Sequence, residues 1–142
     1  MGRWLSIDYG TKRLGIAVTD PLQMFIYPLT TIENRSDDYV ISELLKLFDE
    51  KMIDKIIVGL PLSLEGKDTQ KTKEVRNFFH KLEKRTEIPL IWWDERYSTY
   101  EANDFLKQKG LNWKDSRKII DQIAAAVILT NYMKEVSKNE NN

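Results

Sequence analysis

The 142-residue sequence predicts one α/β domain in which helices cover a mixed β-sheet. The first observation is a period-two alternation of apolar residues on both sides of residues 8–13, which is typical of two strands joined by a turn. The second is that short apolar strands alternate with amphipathic helices in the rest of the chain, a pattern that indicates parallel strands buried by helices. The length allows one substantial core but not two lobes. We therefore expect residues 1–136 to form a single domain and residues 137–142 to be a frayed polar tail.

Three extended segments open the chain. The first strand ends at Asp8, and the second alternates apolar and small or polar residues over 14–18. Gly10 is expected to supply a positive φ in the turn between them. The third segment covers residues 24–31, where Pro28 indicates an edge strand or a bulge.

Helices and strands alternate through the middle of the chain. A helix is predicted to open at Ser36, because serine favours the N-cap position, and apolar residues follow it at helical spacing. A strand over residues 55–58, a loop over 59–66, a second helix with an apolar stripe over 75–82, and a strand over 88–93 come next. The stripe of the first helix comprises Val40, Ile41, Leu44, Leu45, Phe48 and Met52.

Two further helices are predicted at the end of the chain. Ser98 and Glu101 form a capping-box pattern, and the helix that they begin ends at Gly110. Residues 115–116 open the last helix, which is apolar on almost every side over residues 119–129.

Composition excludes several classes of protein. Basic and acidic residues both number 22, so the net charge offers no overall attraction to nucleic acid or to a membrane. The chain contains no cysteine and a single histidine, which excludes disulfides and thiolate sites and disfavours histidine-rich zinc sites. Neither a signal peptide nor a membrane-spanning run is apparent, so we expect a cytoplasmic protein.

Three acidic residues stand out. Asp8 ends an apolar strand, Glu95 follows another, and Asp121 lies in the nearly all-apolar last helix, where an unpaired charge is costly. Taken alone, an aspartate such as Asp8 is more often a turn residue than a catalyst, and Glu95 could pair with surface neighbours. Asp121 could form an ordinary i, i+4 pair with Arg117. If folding gathers the three carboxylates, a divalent cation such as Mg²⁺ would neutralise them, and such cations promote phosphodiester cleavage without histidine or cysteine.

Cations beside these acids are candidates for binding phosphate. Lys12 and Arg13 lie at the first turn, and Arg96 directly follows Glu95. Gly59 and Pro61 would either let a nucleic-acid backbone approach closely or merely shape a loop. A further basic group at the start of the second helix is typical of a solvated helix face. It comprises Lys67, Lys71, Lys73 and Arg76.

Four segments, in this order, resemble the signature blocks of the YqgF/RuvX family. They are residues 8–20, 58–61, 94–99 and 120–125, and the resemblance covers nearly the whole chain. The family has an RNase H-like fold and is related to Holliday junction resolvases. Its members are described as resolvases or as nucleases that process the 5′ end of pre-16S rRNA.

The resemblance implies a five-stranded mixed sheet with helices on both faces, and Asp8, Glu95 and Asp121 as the acidic active-site residues. Two departures bear on the site. Ser63 stands where the family often has asparagine, and Gly59 begins a segment where resolvases of the wider fold carry an acid. The site would then take its glutamate from the end of the fifth strand.

The leading hypothesis is a Mg²⁺- or Mn²⁺-dependent nuclease that acts on structured RNA in pre-16S rRNA maturation on pre-ribosomal particles, as a monomer or homodimer. A resolvase of branched DNA is the alternative within the same class, and it requires two active sites. A non-catalytic RNA-binding module is a third reading. An ATPase is a fourth, because residues 8–11 also resemble the phosphate loop of actin-like proteins, but 142 residues cannot supply the second lobe that those proteins need.

Overall fold

A computed structural model describes residues 2–95 and 117–140, without the side chains of residues 117, 118 and 138–140. Five strands form one sheet in the order β3-β2-β1-β4-β5. The strands are β1 (Arg3–Asp8), β2 (Arg13–Thr19), β3 (Ile26–Glu33), β4 (Ile53–Leu60) and β5 (Leu90–Asp94). The helices of the described ranges are α1 (Asp37–Glu50), α2 (Gln70–Glu83) and α3 (Arg117–Glu140).

The sheet is mixed, as the sequence predicts. Strand β2 runs antiparallel to both β1 and β3, whereas β1, β4 and β5 are parallel to one another. Parallel neighbours need crossover connections, and α1 and α2 supply helices between β3 and β4 and between β4 and β5. The parallel arrangement brings the carboxyl ends of β1, β4 and β5 to one edge of the sheet.

Alternation along β1 separates two layers of core. Leu5 and Ile7 are fully buried on the face that packs against α1 and α2. Ser6 points to the opposite face, where its Oγ donates a hydrogen bond of 2.6 Å to the carbonyl oxygen of Ala125 in α3. The two tryptophans of β5 divide in the same way, since Trp92 stacks on Phe79 of α2 and Trp93 packs with the α3 layer.

The turn between β1 and β2 corrects one prediction. Gly10 does not adopt a positive φ; Gly66 is the glycine of the described ranges that does. A Cβ on Gly10 would lie 2.4 Å from the carbonyl oxygen of Arg13, so the glycine is required because the chain folds back on itself at close range. The prediction for Pro28 is confirmed, because β3 is an edge strand and its register with β2 shifts next to this residue.

Side-chain caps begin the first two helices. The Oγ of Ser36 accepts a hydrogen bond from the backbone N–H of Tyr39, which confirms the predicted start of α1. Helix α2 begins with a reciprocal capping box between Thr69 and Thr72. Thr72 also donates to the carbonyl oxygen of Pro61, so the start of α2 is tied to the segment that leaves β4.

Several boundaries differ from the sequence prediction. Strand β4 runs from Ile53 to Leu60, longer than the predicted 55–58, because backbone pairing extends beyond the apolar run. Helix α3 continues to Glu140, and the fraying predicted for residues 137–142 stays a prediction. The helix predicted between Ser98 and Gly110 and the helix start at residues 115–116 lie outside the described residues. Among the helices of residues 2–95 and 117–140, none has the length and apolar character needed to cross a bilayer.

Candidate active site

Two of the predicted acids meet at the carboxyl edge of the parallel strands. Asp8 is the last residue of β1, and Glu95 directly follows β5. Between them ends β4, where the backbone N–H of Glu95 donates to the carbonyl oxygen of Leu60 at 3.2 Å. A Cβ on Gly59 would lie 2.5 Å from Oε2 of Glu95. The glycine of β4 therefore leaves the space through which the Glu95 carboxylate reaches across the sheet.

The side chains of Asp8 and Glu95 form a hydrogen bond with each other. Two carboxyl groups can do this only if one carries a proton, and the bond raises the pKa of Glu95 while lowering that of Asp8. Burial is the main cause that raises the pKa of Asp8 to about 6, and burial followed by the charge of Asp8 raises the pKa of Glu95 to about 8. The nearby charge of Lys71 therefore does not fully compensate negative charge on these two buried carboxyl groups.

The third acid, Asp121, approaches through α3. Asp8 pairs in register with Gly15 of β2, and a Cβ on Gly15 would lie 1.9 Å from the carbonyl oxygen of Asp121. Ala125 and Ala126 continue this contact along the sheet. The alanine-rich helix thus packs closely on β2, and the charge of Asp121 contributes to the raised pKa of Asp8.

Arg13 is the partner of Asp121. Its Nε lies 2.5 Å from Oδ2 of Asp121, and both side chains are partly exposed. The pair joins residues 108 positions apart, whereas the local alternative involved Arg117, whose side chain is not described. Within residues 2–95 and 117–140 no three acidic or histidine side chains, as they stand, are grouped so that they could hold one ion. The structure therefore brings Asp8 and Glu95 into contact and holds Asp121 nearby, engaged by an arginine.

Lys71 is a contributor that sequence reasoning missed. It was grouped with the solvated basic face of α2, yet its charge lowers the pKa of both Asp8 and Glu95. Lys71 lies in the first turn of α2, the helix that follows β4, and β4 ends beside Asp8 and Glu95. The position of Lys71 in the helix after β4 could have indicated its role, but helical periodicity alone does not distinguish Lys71 from its basic neighbours.

The remaining candidates have mixed outcomes. Lys12 is exposed at the β1–β2 turn, and Arg96 lies outside the described residues. The space over Gly59 is taken by Glu95, which explains a glycine there, and a role of Gly59 and Pro61 in nucleic-acid binding stays a prediction. Ser63, where the family often has asparagine, accepts a hydrogen bond from the backbone of Lys67 at 3.0 Å and so closes its own loop.

Solved structures with this arrangement identify the fold. The chain aligns with Thermus thermophilus RuvC in complex with a Holliday junction substrate at a TM-score of 0.63 and 11% identity, over 96% of this chain and 97% of the other. The fowlpox virus resolvase in complex with Holliday junction DNA gives a TM-score of 0.61 at 14% identity, over 94% and 98%. The predicted RNase H-like fold with a five-stranded mixed sheet is confirmed: this is the fold of the resolvases.

Sequence comparison then assigns the family. The chain belongs to the RuvX family, described as Holliday junction resolvase, and matches it over residues 2–135. A relative from Maridesulfovibrio salexigens, named "Putative pre-16S rRNA nuclease", is 43% identical over 129 residues, which are 91% of this chain and 96% of that protein. A protein of the same name from Syntrophus aciditrophicus is 35% identical over 141 residues, covering 97% and 92%. The resemblance seen in the sequence is confirmed, and the chain is a member of a nuclease family.

Proposed function

We propose that this protein is a Mg²⁺- or Mn²⁺-dependent nuclease that cleaves structured RNA at the 5′ end of pre-16S rRNA, on pre-ribosomal particles in the cytoplasm. The two relatives described above, which carry the rRNA nuclease name, are 43% and 35% identical over more than nine-tenths of the chain. The resolvase structures, at 11–14% identity, support the fold alone. Similarity over the whole chain therefore favours RNA as the substrate.

The single observation that carries the proposal is the contact between Asp8 and Glu95 at the carboxyl edge of the sheet. Burial raises the pKa of both carboxyl groups, and the charge of Asp8 raises the pKa of Glu95 further. A donor set made only of carboxylate oxygens fits a hard divalent cation, which would supply that missing positive charge. Perturbed carboxyl groups in contact at such an edge are typical of catalytic sites.

Each residue has a role in this mechanism. Asp8 and Glu95 would hold the metal, and any proton that they share would be released to do so. Asp121 would join them once Arg13 releases it. When bound, Mg²⁺ or Mn²⁺ supplies an activated water and stabilises the leaving oxygen. Arg13, with Lys12 and Arg96, would position the phosphates of the strand.

The experiment compares the wild type with Asp8→Asn, and with Asp49→Asn as a matched control. Asp49 is an exposed aspartate of α1. A precursor rRNA carrying its 5′ extension is incubated with Mg²⁺ or Mn²⁺, and metal binding is measured separately by calorimetry. We expect Asp8→Asn to lose cleavage and metal binding while Asp49→Asn keeps both. Equal cleavage by the wild type and Asp8→Asn would contradict the assigned role of Asp8.

A resolvase of branched DNA is the second candidate, favoured by the description of the family itself. Cutting both strands of a junction needs two active sites, hence a dimer. A four-way DNA junction assayed beside the precursor rRNA separates the two functions, and sedimentation determines the oligomeric state. Preferential cleavage of the junction by a dimer would replace the RNA assignment. RNA binding that persists in EDTA, with no cleavage under either metal, would instead indicate a binding module.

A further inference from the structure

Beside the acidic site lies an open pocket of about 540 Å³ that joins Lys12 and Arg13, which would position phosphates, to Arg35, which has no role so far. It is formed by the β1–β2 turn together with the end of β3 and the residues that follow it. Its volume falls in the range of small-ligand sites, about 300–1,000 Å³. The lining residues are Lys12, Arg13, Thr31, Glu33, Asn34 and Arg35.

The lining is basic although the whole chain is neutral. The lining holds three cations and one carboxylate, that of Glu33, which pairs with Nε of Arg35 at 3.1 Å, while Arg13 pairs with Asp121 outside the lining. Arg35 also lies over the ring of Tyr39, 4.9 Å from its centre, which orients the guanidinium. The ammonium of Lys12 forms no ion pair with any residue of the described ranges. The pocket therefore offers a local site for an anion.

Two hydrogen bonds from Asn34 to backbone carbonyl oxygens hold the pocket in shape. The backbone N–H of Asn34 donates to the carbonyl oxygen of Lys12 at 2.9 Å, and its side-chain Nδ2 donates to the carbonyl oxygen of Gly10 at 2.8 Å. Asn34 thus fastens the end of β3 to the turn that follows Asp8. A preformed site loses less entropy on binding than a flexible one.

Arg13 connects the pocket to the acidic site. It lines the pocket and at the same time pairs with Asp121. A strand whose scissile phosphate lies at the acids would pass its neighbouring phosphates over Arg13 and into this basic lining. Guanidinium groups bind phosphate in two-point fashion, which suits both Arg13 and Arg35.

We propose that this pocket binds a phosphate of the RNA strand adjacent to the one that is cleaved, through Lys12 and Arg35 with Arg13 at its inner side. The proposal rests on the proposed nuclease function for the identity of the strand. The phosphate is either an internal phosphodiester or a 5′-terminal monophosphate, since the chemistry of recognition is the same for both.

The test measures binding of a short single-stranded RNA, labelled at its 3′ end, by fluorescence anisotropy in EDTA over a range of salt concentrations. The variants are Lys12→Ala, Arg35→Ala and the double variant. Arg85→Ala is the matched control, because Arg85 is an exposed cation beyond the end of α2. Each lost phosphate contact on a single strand lowers the slope of log K against log salt by about 0.7. Because Lys12 and Arg35 hold the same phosphate, we expect a loss of about 0.7 in the double variant, a smaller loss in each single variant, and none in Arg85→Ala.

A slope for the double variant equal to that of Arg85→Ala would overturn the proposal. An effect seen with both 5′-hydroxyl and 5′-phosphate RNA supports an internal phosphate, and an effect confined to 5′-phosphate RNA supports a terminal one. Cleavage of the precursor rRNA by the wild type is assayed in parallel. A changed slope without cleavage would overturn the nuclease function and leave the pocket, whereas cleavage with an unchanged slope would overturn the pocket alone.

Discussion

Asp8→Asn is expected to stabilise the metal-free protein while it removes metal-dependent activity. The folded protein raises the pKa of Asp8 from 3.8 to about 6, chiefly by burial, and the charge of Asp8 in turn raises the pKa of Glu95. Asparagine has nearly the same shape, can donate to Glu95, and carries no charge to be desolvated. The substitution therefore removes an electrostatic cost and keeps a hydrogen bond.

The sign and size follow from linkage between protonation and folding. A carboxyl whose pKa is raised by folding contributes stability below its unfolded pKa, and that stability is lost as pH rises through the folded pKa. For Asp8 a rise of about two units corresponds to about 3 kcal/mol lost between pH 4 and pH 8. A domain of this size gains about 2–4 °C in Tm per kcal/mol. We therefore expect Asp8→Asn to raise Tm by about 6–12 °C at pH 8 and by little at pH 4.

Thermal unfolding in EDTA at pH 4 and pH 8 measures this effect, with Asp49→Asn as the control for loss of a surface aspartate. Mg²⁺ should raise Tm of the wild type more at pH 8 than at pH 6, because protons compete for Glu95 below its pKa of about 8. It should leave Asp8→Asn nearly unchanged. If Asp8→Asn lowers Tm at pH 8 as much as at pH 4, then ionising the buried Asp8 carboxyl group does not destabilise the folded protein as inferred.

Three other variants test how the site is assembled. Gly59→Ala places a methyl group 2.5 Å from Oε2 of Glu95, so it should displace that carboxylate and abolish cleavage at a cost of about 1–3 kcal/mol in stability; normal kcat would contradict this. The methyl group of Gly15→Ala would lie 1.9 Å from the carbonyl oxygen of Asp121, and this backbone cannot move aside as a side chain can. Urea unfolding should therefore show that the free energy of unfolding falls by about 3 kcal/mol or more. A fall of less than about 1 kcal/mol would disprove the close packing. Arg13→Gln frees Asp121 and should tighten Mg²⁺ binding without RNA about fivefold by calorimetry, since a partly exposed ion pair contributes about 1 kcal/mol; weaker binding would mean that Arg13 does not compete with the metal.

Local patterns predicted most elements because the forces that form them act over a few residues. The cap at Ser36 and the bulge beside Pro28 depend on near neighbours, and both were found where the sequence placed them. The prediction of a positive φ at Gly10 was wrong because it considered only the local turn pattern. What demands a glycine there is the carbonyl of Arg13, a contact that only the folded turn creates.

The sequence by itself determined the types of element, the mixed sheet, the family, and which carboxylates were candidates, because periodicity, caps and signature blocks are written in adjacent residues. Tertiary structure alone decided which of those groups touch. Asp8 meets Glu95 because parallel strands end at one edge and Gly59 leaves the space, while Asp121 pairs with Arg13 because Gly15 lets α3 pack against β2. Such contacts join residues about 90 to 110 positions apart, and no local pattern encodes the distance between them.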